Sequence, residues 1–251
     1  IYPDADLGCD GFDYNCDGLM DNDGDEDGHP DKACGGTDCN DDDANIKPEA
    51  GGGCALGATC KVINDSGFAD GDGIYWVDID GWNNGEDPFE VYCDMTTDDG
   101  GWTLVYKLSK DVNYDIVTLW TGDATLNEDN SDYLDLTKDA AHYRNRFVNL
   151  SWSNEELLTS EVRTVLYTAG ESVRALTFSA EGTNKNSWFA QAKITDSSWT
   201  DITTQGKNYF TIPGDSGNGR HWFISRNYGG CGADSGWLII DRGPHPCSWE
   251  T

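Results

Sequence analysis

The chain is short of cations and of the groups on which transition-metal and membrane chemistry depend. Its 251 residues include 16 Lys and Arg against 46 Asp and Glu, with only four His and two Met. A formal charge of −30 is repelled by phosphate backbones and anionic headgroups, so no nucleic acid and no membrane surface is expected as a partner. No segment approaches the roughly 20 consecutive apolar residues that cross a bilayer, which argues against membrane insertion. His29, His142, His221 and His245 are scattered without ligand spacing, and Asp and Gly flank the cysteines. That is the setting of hard ions, not of zinc. Catalytic motifs are missing too: Ser216 and Ser235 sit in no nucleophile-elbow pattern, and no carboxylate pair has a recognisable catalytic context, so no enzyme is expected.

What is present belongs to a folded, exported protein. Aromatics make up 12% of the residues, with 10 Trp, and apolar residues 37%, enough for a hydrophobic core at this length. Nine closely spaced cysteines point to disulfides and an extracellular, oxidising location, secreted or at the cell surface.

The acidity is uneven. Residues 1–53 carry 16 acids and two bases and lack apolar periodicity, whereas residues 54–251 carry strand-like and helix-like runs throughout. A boundary at Gly51-Gly52-Gly53 therefore divides a 1–53 segment, which needs staples or metal to hold one shape, from a globular domain over 54–251. Within the first segment one spacing recurs: Asp13, Asn15 and Asp17; Asp23, Asp25 and Asp27; Asp38, Asn40 and Asp42. Oxygen side chains at positions 1, 3 and 5 of a tight loop converge on one centre, with Gly at position 6 permitting the turn and positions 9 and 12 closing the sphere. Gly18 and Gly28 hold position 6 in the first two loops, Asp21 and Asp31 fall at position 9, and Glu49 stands at position 12 of the third. About three Ca²⁺ sites are expected, with calcium holding the segment's fold together.

CDGFDYNCDG (9–18), DNDGDEDG (21–28) and DCNDDDANIKPEA (38–50) resemble, in that order, a bacterial extracellular metal-binding repeat akin to thrombospondin type 3 calcium repeats. The resemblance implies pairing of Cys9 with Cys16 and of Cys34 with Cys39. The Ile1–Ala5 segment followed by Cys9 echoes Ile46–Ala50 followed by Cys54, from which a further repeat upstream is expected.

In the second segment, GIYWVDIDG (73–81) and the run from Phe89 read as strands joined by a turn-rich stretch. A second turn at Asp98–Gly101 leads to a strand from Trp102 to Leu108. Ser153–Glu156 is a capping-box pattern opening a short helix. Residues 161–168 and 172–180 read as a hairpin, and 222–224 and 237–240 as buried strands, so the class is α+β with helix in the minority.

GIYWVDIDG, PFEVYCDM (88–95) and GGWT (100–103) resemble the opening of the fibrinogen C-terminal-like domain, an antiparallel-sheet fold whose members include lectins. The resemblance implies pairing of Cys60 with Cys93 and of Cys231 with Cys247. Repeat logic would instead join Cys54 to Cys60; with the preferred Cys60–Cys93 bridge, Cys54 is left free or joined to another protomer. Family lectins hold calcium and a ligand beside the second disulfide. Here residues 212–231 offer Asp215 and Asn218 as oxygen ligands for a further calcium site, and Gly230 replaces the family's Asn before the cysteine.

The resemblance implies a calcium-binding adhesion or recognition protein with a glycan or glycoprotein ligand held around Asp215, Asn218, Trp222, Tyr228 and Trp237. Its alternative is a structural subunit of a filament, matrix or surface assembly, a homo-oligomer joined through Cys54, with calcium loops as rigid spacers. Asn64-Asp65-Ser66 and Asn149-Leu150-Ser151 are glycosylation sequons.

Overall fold

The computed structural model describes residues 22–31, 34–38, 57–67, 69–80, 88–110, 114–137, 141–152, 160–168, 171–241 and 247. The expected ligands Asp13, Asn15, Asp17, Asp21, Asn40, Asp42 and Glu49 lie outside these residues. So do Cys9, Cys16, Cys39, Cys54, the 53/54 boundary and the 153–156 capping box. The chain divides into two compact units, Ile1–Leu104 and Val105–Thr251.

In the first unit, helix α1 (Cys60–Asp65) starts where the Thr59 hydroxyl accepts the Val62 N–H at 3.2 Å, and it buries Cys60 and Ile63, one turn apart. Strands β1 (Gly73–Val77), β2 (Phe89–Asp94) and β3 (Trp102–Thr103) form an antiparallel sheet in that order. In β2 the alternation is strict: Phe89, Val91 and Cys93 are buried and the residues between them half-buried, as a strand with one covered face requires. The Cys60–Cys93 disulfide ties α1 to β2, and both cysteines are 0% exposed. At the β2–β3 turn Gly100 takes φ 71°, and a Cβ there would stand 2.1 Å from the Met95 carbonyl oxygen, so only glycine fits.

The second unit holds a core built on indoles. Helix α2 (Ile116–Thr121), capped by the Asp115 carboxylate, buries Ile116, Leu119 and Trp120 at helical spacing. Trp120 meets Tyr106, Trp152, Trp188 and Trp222 edge-on, with ring centroids 5.3 to 6.3 Å apart. Such pairs add about 0.5–1.5 kcal/mol each beyond the area they bury. Strands β4 (Tyr106–Lys107) and β5 (Tyr143–Arg144) pair, and α3 (Phe147–Leu150) follows. The hairpin of β6 (Glu161–Thr168) and β7 (Glu171–Ser179) continues into β8 (Ile194–Ser197). The last sheet runs β11 (Ser235–Asp241), β10 (Arg220–Asn227), β9 (Tyr209–Thr211). Among the described residues, three antiparallel three-stranded sheets, the β4–β5 pair and short helices confirm the α+β class.

One expected strand differs. The run from Trp102 to Leu108 is two short strands: β3 pairs with β2, and β4 pairs with β5, so the backbone switches hydrogen-bonding partner at Leu104–Val105. The sequon residue Asn149 is built into the fold. Its amide donates to the Asp123 carbonyl at 2.9 Å and its carbonyl accepts from Arg144 and Lys185 at 2.6 and 3.0 Å.

Candidate functional site

A pocket of about 310 Å³ opens beside the Cys231–Cys247 disulfide. It begins with a glycine. Gly214 has φ 58°, and a Cβ there would lie 2.0 Å from the Arg220 carbonyl oxygen. That close approach lets Asp215 bridge the main chain of Arg220, with N–H···O distances of 2.8 and 3.0 Å, while Ser216–Asn218 form one 3₁₀ turn between them. The turn delivers Asp215 to two donors: the Tyr228 hydroxyl and the Asn218 amide each donate to Oδ2 at 2.7 Å.

Arg220 lies behind this network with its side chain 2% exposed. Its guanidinium stands 4.8 Å from the centre of the Tyr228 ring, 3.6 Å from Asp234 Oδ2 and, through Nη2, 3.4 Å from Cys247 Sγ. Asp234 Oδ1 in turn accepts the N–H groups of Gly229 and Gly230, both at 2.9 Å. Asn218, Arg220, Tyr228 and Asp234 thus give the pocket its polar wall, and Gly229–Cys231 with Cys247 complete it.

The electrostatics follow from those bonds. The Tyr228 and Asn218 donors, in that order, hold the Asp215 carboxyl below the ordinary carboxylate range. Burial, and then donation to Asp215, raises the Tyr228 hydroxyl. Asn218 commits its amide N–H groups, leaving Oδ1 as the polar atom it offers a ligand.

Of the five side chains expected here, Asn218 and Tyr228 line the pocket and Asp215 anchors them from behind. Two stand elsewhere. Trp222 is 4% exposed in the aromatic core, because β10 is irregular between His221 and Ile224 and Trp222 takes φ 45° there. Trp237 is half-buried with its indole N–H on Asp201 at 2.8 Å and the Lys207 ammonium 4.5 Å from its ring centroid, so that face is already covered. Neither offers a free stacking surface. Sequence reasoning missed Arg220, before the Cys231–Cys247 loop, and Asp234, within it, because nothing in their local sequence sets them apart from Arg226 and Asp241 nearby. Asp215 is also a poor calcium ligand as placed: it is satisfied by two hydrogen-bond donors and not pooled with other acids.

The first unit shows the opposite arrangement. Asp23, Asp25 and Asp27 each bring a carboxylate oxygen within 4.8 Å of the others. The loop is wound by its own carboxylates: Asp23 accepts from the main-chain N–H groups of Asp27 and Gly28 at 3.1 and 2.9 Å, and Asp25 from that of Asp27 at 3.1 Å. Asp31, the expected position 9, is held to the loop by its N–H on the Asn22 carbonyl at 2.7 Å. Desolvation, followed by the charges of Asp27, Asp38 and Asp23, raises the Asp25 carboxyl above its ordinary value. Asp38 was expected to open a third loop, and its charge bears on the second. Asp25 Oδ2 and Asn22 Oδ1 are buried without a hydrogen-bond partner among the described residues. An oxygen-rich set with orphaned acceptors fits a hard divalent cation. Cys34, beside it, is disulfide-bonded.

The Cys60–Cys93 and Cys231–Cys247 bridges are those the resemblance implies. Antiparallel sheets, two such bridges and a pocket at the second define a disulfide-stapled α+β domain. The family model described as fibrinogen beta and gamma chains, C-terminal globular domain, matches residues 57–191, and the protein belongs to that family. Domains of this family are generally non-catalytic, commonly serve recognition and are typically extracellular. No curated protein matches the sequence. The matched range ends before the pocket, so the pocket stands on its own geometry. Among the described residues no helix is long and apolar enough to cross a membrane.

Proposed function

We propose that this is a non-catalytic extracellular recognition protein that binds a hydroxyl-rich ligand, a glycan, in the pocket beside Cys231–Cys247, and that calcium holds its acidic N-terminal loops. The pocket carries the reading. It combines a tyrosine hydroxyl, an amide carbonyl and an aromatic edge on a braced hairpin, the mixture of polar and apolar surface that sugar rings require. With Asp215 and Asp234 beside a single buried Arg220, the site disfavours anionic ligands and favours neutral sugars. Calcium in this reading is structural. Asp23, Asp25 and Asp27, with Asp31 and Asp38 nearby, would hold one ion, neutralising a crowd of carboxylates that otherwise repel one another.

A glycan array and polysaccharide pull-down with the full-length protein tests the first half. Retention on at least one neutral glycan is expected. Tyr228→Phe should weaken it about tenfold, the effect of losing one charge-linked hydrogen bond, while Trp237→Ala should leave it unchanged. Retention on no glycan, or loss through Trp237 and not Tyr228, would remove this reading.

A further inference from the structure

The two disulfides with both cysteines among the described residues differ in a way that matters for chemistry. In Cys60–Cys93 both residues are fully buried, so an external thiol has no approach to either sulfur. In Cys231–Cys247 the halves are unlike: Cys231 is exposed, follows Gly229-Gly230 and lines the pocket, whereas Cys247 is 3% exposed. The buried half is the one with a cation. Arg220 Nη2 lies 3.4 Å from Cys247 Sγ, closer than the guanidinium comes to Asp234 Oδ2, at 3.6 Å.

We propose that the Cys231–Cys247 bridge is a thiol-reactive site, with Cys231 as the position modified and a thiol or dithiol as the reagent. A thiolate attacks the accessible sulfur, Cys231 Sγ, forming a mixed disulfide there. The Cys231–Cys247 bond breaks, and its electron pair leaves on Cys247 as a thiolate beside the Arg220 guanidinium. A leaving thiol of lowered basicity departs faster, and a neighbouring guanidinium lowers it. A dithiol then resolves the mixed disulfide with its second sulfur, so that two electrons pass to the protein, the reagent is oxidised and both cysteines end as thiols. A monothiol in limited amount stops at the modified Cys231. Because both cysteines wall the pocket, opening the bridge frees the Gly229–Cys231 segment from its far anchor. On the glycan reading above, ligand retention falls with it; the chemistry itself does not depend on that reading.

The test uses the full-length protein in calcium, a neutral monothiol (2-mercaptoethanol) and separately dithiothreitol, with rapid alkylation and peptide mass spectrometry. Cys231–Cys247 should open at least about tenfold faster than Cys60–Cys93, with the monothiol adduct on Cys231 and the alkyl group on Cys247. Equal opening rates, or an adduct mainly on Cys247, would overturn the proposal. Arg220→Gln should slow opening about tenfold; an unchanged rate in folded protein would also overturn it. Should that variant not fold, the regiochemistry of the unaltered protein decides alone. Loss of glycan retention is read on the same samples and bears only on the pocket.

Discussion

Two loops of this protein that the sequence offers as calcium sites are opposites in structure. The Asp23–Asp27 loop crowds carboxylates together, and Asp25 is pushed above its usual range by desolvation and by neighbouring acids. The Asp215–Asn218 loop surrounds one carboxylate with donors, and Asp215 is held below its usual range by Tyr228 and Asn218. The difference teaches what to ask of an acidic loop. Carboxylates that face each other need a cation; a carboxylate that faces hydroxyl and amide donors is a structural acceptor and shapes a binding site. The partners that each carboxylate faces tell the two apart.

The largest expected effect is on the first loop. At free calcium about a hundred times the dissociation constant, binding to the folded state alone stabilises by about 2.7 kcal/mol. Chelation should therefore loosen residues 22–38, seen as faster amide exchange at Asp27 and Gly28, whose N–H groups bond to Asp23. Exchange at the Asp215 hairpin should not change. Parallel loosening of both loops would erase the distinction.

A smaller effect belongs to the second loop. Tyr228→Phe removes one donor to Asp215. Hydrogen bonds to charged groups contribute about 1.5–3 kcal/mol when buried, and solvent screening at this half-buried position brings the expectation to about 1 kcal/mol. Denaturant unfolding measures it; a loss above about 3 kcal/mol would mean that the tyrosine is core and not pocket.

The smallest effect is a difference of sign with pH. Asp25 has a raised folded pKa, so in calcium-free protein its ionisation costs stability above its unfolded value, and that cost disappears as pH falls through the raised one. Asp215 has a lowered folded pKa, so its contribution is complete above its unfolded value of about 3.9 and is lost only as pH falls through the lowered one. Mild acidification of chelated protein should thus raise the protection factors of Asp27 and Gly28, taken relative to the intrinsic exchange rate at each pH, while leaving those of Asp215 and Arg220 unchanged. With calcium bound, the first response reverses, because protons then compete with the ion.

Much of this was legible in the sequence for physical reasons. Alternation wrote the β6–β7 hairpin and β2, and the Cys60–Cys93 and Cys231–Cys247 bridges are those that the family resemblance implied. Asp23, Asp25 and Asp27 are neighbours in the sequence, so their convergence needs only a turn. What could not be read depends on distant partners. Trp222 sits in an apolar strand whose parity would place it by its neighbours, and the irregularity after His221 turns it into the core. Trp237 is covered by Lys207 and Asp201, about thirty residues away in the sequence. Arg220 organises the pocket through Asp215, Tyr228, Asp234 and Cys247, contacts that only the closed sheet and its disulfide bring together.

Calcium titration by calorimetry of three proteins tests the central claim: the unaltered protein, Asp25→Ala, which removes the oxygen ligand that an Asn would keep, and Asp215→Ala. The account predicts that Asp25→Ala lowers the number of ions bound by about one and that Asp215→Ala binds as the unaltered protein does. Full stoichiometry in Asp25→Ala, or an ion lost in Asp215→Ala, would contradict it.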